Sequence, residues 1–214
     1  MRTVCEECSG NTGYPHLVKL ERMIAVQKMN KKIIKPTPFG SVCIVWHELN
    51  NSPRIVHVLL SRLGLTAEDR ASEFFSDAGK SSCAEIDIIA NSIKAYLEGE
   101  AVKFSLRDVD LSQCTKFQQS VLRAQHVIPC GSVSTYGLIA AHVGAPGGAR
   151  AVGNVMAANP FPLIVPCHRT ILANFHLGGF GSGTEMKRAL LTKEGIIFDE
   201  AGRVICPSFH YAST

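Results

Sequence analysis

Apolar residues follow two periods along this chain, and the switch between them outlines the fold. Ser41 to Leu49 and Arg54 to Arg62 are rich in Val, Ile, Leu and Trp46, the composition of strands, and Asn50-Asn51-Ser52-Pro53 between them is turn chemistry. The pattern predicts a β-hairpin. Further on, Ile86, Ile89, Ile93 and Leu97 recur at spacings of three and four and stop at Gly99, which predicts a helix with a glycine just past its end. Earlier, Leu17, Leu20 and Ile24 with Lys19, Arg22, Lys28, Lys31 and Lys32 suggest an amphipathic helix over 15–32, behind a tail rich in Gly, Ser, Asn and Cys.

Residues 100–114 carry charges of both signs and read as a linker, after which helical spacing dominates. Phe117, Val121 and Leu122 set one face of a helix ending before Pro129. Ser134 is placed to cap a second helix, through Val143, that stops at Gly144. Ala145-Pro146-Gly147-Gly148 forces a turn. A third helix from Ala149 to Ala158 must end near Asn159-Pro160, because proline disfavours helix in the residue before it. Helix, glycine-bearing turn and helix give the outline of a helix-turn-helix, an outline shared by adjacent helices in any α domain. The fold class is α+β: a tail and helix over 1–35, an N-terminal α/β domain with an antiparallel sheet over 36–110, and a C-terminal, mostly helical domain with the helix-turn-helix over 111–214.

Composition sets the compartment and the class. Of 214 residues 46% are hydrophobic and 19% charged, enough apolar material for a real core, which excludes wholesale disorder. No apolar run reaches the roughly 18 residues of a membrane span, and Glu6 and Glu7 stand where a signal peptide needs apolar residues. The expectation is an intracellular protein, cytoplasmic or nuclear, with no membrane partner. Its eight cysteines then read as thiols rather than a disulfide framework. Cys5 and Cys8 form a CxxC that could be half a zinc site, but no second pair follows at finger spacing. Residues 1–114 hold 14 Lys+Arg against 14 Asp+Glu, so the remainder, 8 against 4, carries the whole net charge of +4. Between Asp110 and Glu185 there is no acid at all, only Lys116, Arg123, Arg150 and Arg169. A surface built from that stretch does not repel phosphates.

The third helix and the segment after it carry the candidate chemistry. Ala149, Gly153 and Ala157 share one nearly bare face, and Val152, Val155 and Met156 form another suited to the core. An interior glycine costs about 1 kcal/mol relative to alanine, so Gly153 implies close approach of another backbone, a neighbouring helix or a nucleic-acid strand. Arg150 favours the strand, because a long planar cation beside a bare face can enter a groove. Leu163, Ile164 and Val165 read as a short buried extended run, and Pro166 stiffens the chain before Cys167. A fixed thiol beside His168 and Arg169 is electropositive, which favours thiolate. Neighbours in an extended chain point to opposite sides, so His168 would act through a water or after a turn. A structural cysteine is the alternative.

At these residues the sequence resembles the O6-alkylguanine-DNA alkyltransferases, also called methylated-DNA–protein-cysteine methyltransferases. The resemblance rests on Pro166-Cys167-His168-Arg169, on Ala149-Arg150-Ala151-Val152-Gly153 with Asn159-Pro160, and on Ile128-Pro129-x-Gly131 with Ser134-Thr135-Tyr136-Gly137. Gly178-Gly179-Phe180 and the helix Lys187 to Glu194-Gly195 also fit. It covers about residues 115 to 198 closely and the N-terminal half loosely. It implies single-turnover transfer of an alkyl group, chiefly methyl, from guanine O6 to Cys167, with His168 as a water-mediated base and Glu194 orienting His168. Asn159 would brace the turn before the active-site segment. Tyr136 would help rotate the nucleotide out of the duplex and Arg150 would fill the gap. Ala149, Gly153 and Ala157 would face the minor groove, with Ser134 and Thr135 beside the DNA. Val165, Phe180, Gly181 and Ser182 would line the pocket. The implied partner is double-stranded DNA carrying alkylated guanine, met by a monomer. Zinc, present in some members, needs a His before the C-terminal domain that is not found here, so no metal and no cofactor are expected. A base must leave the stack before its O6 substituent can be reached, at a cost of a few kcal/mol.

Two other classes stay open on residue types: a binding module that flags lesions, and a cysteine hydrolase with Glu194 as third group. The loop 177–183 matches neither G-x-x-x-x-G-K-[ST] nor G-x-G-x-x-G, and Ser182-x-x-Glu185 reads as a capping box for the last helix.

Overall fold

The computed structural model describes residues 28–206 and 209–212. Cys5, Cys8, the N-terminal tail and most of segment 15–32 lie outside the described residues. The described end of that segment is a strand, not a helix: β1 (Asn30–Ile34) pairs antiparallel with β2 (Val42–Leu49), Lys31 opposite Val45 and Ile33 opposite Cys43. Pairing with partners distant in sequence overrides the helical spacing of the lysines.

β2 and β3 (Ser52–Leu60) form the expected hairpin, and Asn50 and Asn51 take φ of 52° and 58°, the left-handed pair that a two-residue hairpin turn requires. β4 (Gly79–Lys80) adds parallel to β1, giving the order β3-β2-β1-β4. Alternation along β2 feeds both faces of this sheet. Cys43 and Val45 pack with Leu59 against Ala67 and Ala71 of helix α1 (Ala67–Phe74). Val42, Ile44 and Trp46 belong to the main core with Ile86, Ala90, Ile93 and Leu97 of helix α2 (Ala84–Glu98). Gly99 ends α2 at φ 110°.

The outer edge of β3 is closed by the second half of the chain. Val58 N–H donates to Pro160 O (2.8 Å), Asp110 N–H to Ile55 O (2.8 Å) and Gln113 Nε2 to Val56 O (2.8 Å). Segment 100–114 is thus docked rather than a free linker, with Val109 and Leu111 buried. Two apolar anchors and an unpaired strand edge outweigh its mixed charges.

Helices α3 (Lys116–His126), α4 (Tyr136–His142), α5 (Ala149–Ala157) and α6 (Thr184–Lys193) follow, with short pairs β5 (Ser134–Thr135) with β6 (Thr170–Ile171) and β7 (Ile197–Phe198) with β8 (Val204–Ile205). In α3, Val121 and Leu122 are buried, whereas Phe117 in the first turn stays exposed. Two caps differ from expectation. Thr135, not Ser134, caps α4 by accepting from Leu138 N–H (3.2 Å), because Ser134 is buried and donates to His210 O (2.7 Å). At α6 the cap position is Gly183 at φ 95° with no side-chain bond, so Ser182 and Glu185 form no capping box. Gly144 and Gly147 take φ of 76° and 81° in the turn between α4 and α5. Among the described residues no helix is long and apolar enough to cross a membrane.

Candidate active site

The parallel pairing of β5 with β6, Ser134 opposite Thr170 and Thr135 opposite Ile171, sets the site. β5 runs directly into α4, whose first residue is Tyr136, and β6 follows a 3-10 turn over Cys167–Arg169. Tyr136 and Cys167 are thereby brought to one place. The segment before Cys167 is a tight turn rather than an extended run: Leu163 takes φ 74°, and Val165 N–H donates to Phe161 O (2.7 Å). Three successive apolar residues satisfy burial in a turn as well as in a strand, and period alone does not separate the two. Asn159 spans this turn, its Nδ2 donating to Val165 O (2.9 Å) and its Oδ1 accepting from Phe161 N–H (3.0 Å).

Cys167 is 8% exposed. Burial pushes its thiol up, while a hydrogen bond from Asn159, the Lys187 charge and the amides of Cys167 and His168 pull the other way. The resting sulfur is therefore a thiol, which corrects the expectation of a standing thiolate. The reason is burial, and Arg169, its nominal electropositive neighbour, does not offset it because it is committed elsewhere. Arg169 donates through Nη2 (2.6 Å) and Nε (2.9 Å) to Glu194 and through Nη1 to Ile128 O (2.6 Å).

His168 is fully buried, with Nε2 3.0 Å from Glu194 Oε1. Burial lowers its pKa against the raising effect of Glu194, so the imidazole is neutral and able to take a proton. Its Nδ1 is buried and has no hydrogen-bond partner among the described residues. Glu194, just past the end of α6, would be pushed up by burial, but hydrogen bonds and charges from His168 and Arg169 hold it down at about 2. A buried thiol, a neutral imidazole next to it in chain with one bare nitrogen, and a fixed carboxylate are the parts that an acid-base relay needs.

Three residues here escape the sequence reading. Lys187, fully buried, donates to Thr170 O (2.7 Å), Leu177 O (2.5 Å) and Gly179 O (3.3 Å), and burial brings its pKa down to about 8 against the opposing charge of Cys167. Its signal is a lysine sharing a helical face with Leu190, Leu191 and Glu194. Gln125 donates to Pro166 O (2.6 Å) and accepts from the Thr170 hydroxyl. Tyr96 of α2 bonds both His168 and Glu194. Its apolar neighbours Ile93 and Leu97 make it look like core.

The remaining expected residues divide. Phe180 stands edge-on to the His168 ring at 6.5 Å, and with Gly181, Ser182, Pro162 and Asn159 it lines an open cleft that also meets Val58 and Leu60 of β3, whereas Cys167 and Tyr136 do not line it. Val165 is fully buried and does not line this cleft, since the turn directs it into the core. Ser134 and Thr135 are buried too, occupied by a tail carbonyl and a helix cap, so neither presents a surface to DNA. On α5, Val152, Val155 and Met156 are buried while Arg150 and Ala157 are exposed. Arg150 makes no hydrogen bond or ion pair among the described residues. A Cβ built on Gly153 would meet only Tyr136 Cδ1 at 3.9 Å, an ordinary contact, so no backbone of this protein requires that glycine.

Comparison with known proteins adds the lineage. Residues 116–196 match the family model for the 6-O-methylguanine DNA methyltransferase, DNA binding domain. The chain is 42% identical over 135 residues to the methylated-DNA–protein-cysteine methyltransferase of Mycobacterium bovis, covering 63% of this chain and 78% of that one. Against the Methanothermobacter thermautotrophicus protein of the same name it is 39% identical over 108 residues, and the match spans 60% of that relative's length. The crystal structure of the Mycobacterium tuberculosis O6-methylguanine methyltransferase is similar at a TM-score of 0.63 and 34% identity, over 78% of this chain and 92% of that one. The Pyrococcus kodakaraensis enzyme, 23% identical with a TM-score of 0.58, shares the mixed α/β fold. Sustained identity across most of a bacterial relative establishes that this chain belongs to the methylated-DNA–protein-cysteine methyltransferase family.

Proposed function

We propose that this protein repairs alkylated DNA by direct reversal, moving the alkyl group, chiefly methyl, from guanine O6 to Cys167 in one irreversible turnover. The observation that carries the reading is the buried thiol next in chain to a neutral imidazole whose Nδ1 is bare and whose Nε2 is held by Glu194. The thiol proton passes to Nδ1, through one water where direct reach fails. Sulfur then attacks the alkyl carbon, the S–C bond forms as the C–O6 bond breaks, and the electron pair stays with the guanine. Tyr136 donates a hydrogen bond to the departing base and keeps its proton, while the proton taken up by His168 passes on to the guanine through solvent. Burial and the Cys167 charge push the Tyr136 phenol up, so it stays a donor throughout. The thioether is stable, and no cofactor enters the balance.

The partner is double-stranded DNA. Support comes from the acid-free stretch 111–184 and from the likeness, at a TM-score of 0.60 and 33% identity, to the Mycobacterium tuberculosis protein in complex with DNA. α4, its glycine turn and α5 serve as the helix-turn-helix. Small residues on α5 let a minor-groove backbone approach, while Arg150 occupies the space of the extruded nucleotide. The protein acts as a monomer. Gly153→Ala is expected to stabilise the fold by about 0.5–1 kcal/mol in urea denaturation, since helix propensity improves and no contact tightens, and to weaken duplex binding by fluorescence anisotropy. Unchanged duplex affinity would remove α5 from the interface. Labelled methyl from an O6-methylguanine duplex should accumulate on the protein to one equivalent and stop; continued turnover would identify a hydrolase instead.

A further inference from the structure

Tyr96 connects the N-terminal half of the chain to the reacting groups. It sits in the last turn of α2, with its ring held edge-on by Phe104 at 5.8 Å. Its hydroxyl lies 3.0 Å from His168 Nε2 and donates to Glu194 Oε1, the same oxygen that lies 3.0 Å from Nε2. A phenol has one proton and an ionised carboxylate only accepts, so that proton belongs to Glu194 and the phenol oxygen turns a lone pair towards Nε2. Nε2 thus faces two acceptors and must carry the imidazole hydrogen. Nδ1 is left as the acceptor, and it is the nitrogen found bare.

We infer that Tyr96 is a positioning residue for alkyl transfer, holding His168 together with Glu194 in the tautomer that leaves Nδ1 free to take the thiol proton, and sharing the Nε2 hydrogen once the imidazolium forms. The inference rests on the proposed transfer to Cys167 and assigns part of its machinery to the N-terminal half. Groups facing His168 are Tyr96 from α2, Cys167 and Arg169 from its own turn, and Lys187 and Glu194 from α6 and its end. Only Tyr96 is both neutral and an acceptor towards Nε2. The phenol is pushed far above its usual range by burial and by the charge of Glu194, so it keeps its proton and this geometry at all working pH. Without it the imidazolium is less well stabilised and His168 is a weaker base. The proton balance is otherwise unchanged: the thiol proton goes to Nδ1, and the Nε2 hydrogen never leaves.

The test is Tyr96→Phe in the full chain, with transfer rates from an O6-methylguanine duplex followed from mildly acidic to alkaline pH. Transfer should slow about tenfold at neutral pH, the worth of one buried hydrogen bond. The deficit should shrink as pH rises, because hydroxide then removes the thiol proton directly, and duplex affinity should not change. Nitrogen-15 NMR of His168 without DNA should report unprotonated Nδ1 in the parent and, with Glu194 still holding the Nε2 hydrogen, a variant imidazole that is protonated less readily on acidification. A deficit equal at every pH, no deficit in a folded variant, or protonated Nδ1 in the parent would overturn the assignment. Should Y96F fail to fold, 3,5-difluorotyrosine at position 96 keeps the shape and weakens the acceptor. It must then slow transfer with the same pH signature. Absence of transfer in the parent, with the tautomer still as stated, would count against the alkyl-transfer reading and leave the positioning geometry standing.

Discussion

Cys167→Ala is expected to bind a duplex carrying O6-methylguanine as tightly as the parent does and to transfer no methyl group. Cys167 is nearly enclosed and does not line the cleft beside Phe180, so its side chain adds little to any DNA-facing surface. Its removal leaves a space smaller than a methylene pair and a stability change on the order of 1 kcal/mol, too little to unfold the domain. Fluorescence anisotropy gives the binding half of this expectation and labelled-methyl transfer the other. Loss of both together would mean that the sulfur is a packing element, as most buried cysteines are.

Glu194→Gln has the second largest expected effect, on stability and rate at once. Glu194 receives Arg169 through Nε and Nη2, and His168 and Tyr96 besides, with its side chain almost wholly buried. Glutamine cannot neutralise Arg169, and its amide nitrogen opposes one of the incoming donors. Breaking a buried pair on one side costs about 3–5 kcal/mol, to be read as a fall in the urea midpoint. Because His168 also loses the charge that stabilises its protonated form, transfer should slow by about 10²–10⁴-fold. The parent should carry a matching pH signature. The folded-state value of about 2 lies below the ordinary 4.5, so this carboxylate contributes about 3 kcal/mol above pH 4.5, lost as pH falls from 4.5 towards 2. The variant should lack that part of the acid slope. An acid-denaturation curve identical in both proteins would show that Glu194 is not the buried partner of Arg169 in solution.

What the sequence made legible was local. The hairpin follows from β-rich composition around two asparagines that accept left-handed backbone, and α2 from apolar spacing ended by a glycine that does the same. The helix break before Pro160 is fixed by proline's own geometry. The motif around Cys167 put the thiol beside its histidine because the two are neighbours in chain, and the structure keeps both buried there. Long-range pairing was not legible. β1 exists because β2 and β4 flank it, and segment 100–114 is ordered because the edge of β3 needs partners. Ser134 and Thr135 differ only in which one the tail residue His210 engages. The charge state of Cys167 depends on how deeply the fold buries it, and a run of letters does not say. Tyr96 and Lys187 are polar ends on otherwise apolar helical faces, and only the folded arrangement gives those ends their partners.

The central claim is that this enclosed sulfur, and no other, accepts the alkyl group. Cys130 is the natural competitor, since it is exposed and lies near the same Glu194 and Arg169. Tandem mass spectrometry after incubation with excess O6-methylguanine duplex decides between them. The expected result is one added methyl, located at Cys167 as S-methylcysteine, with Cys130 unmodified. A methyl on Cys130, or an unmodified Cys167 under saturating substrate, would contradict the account.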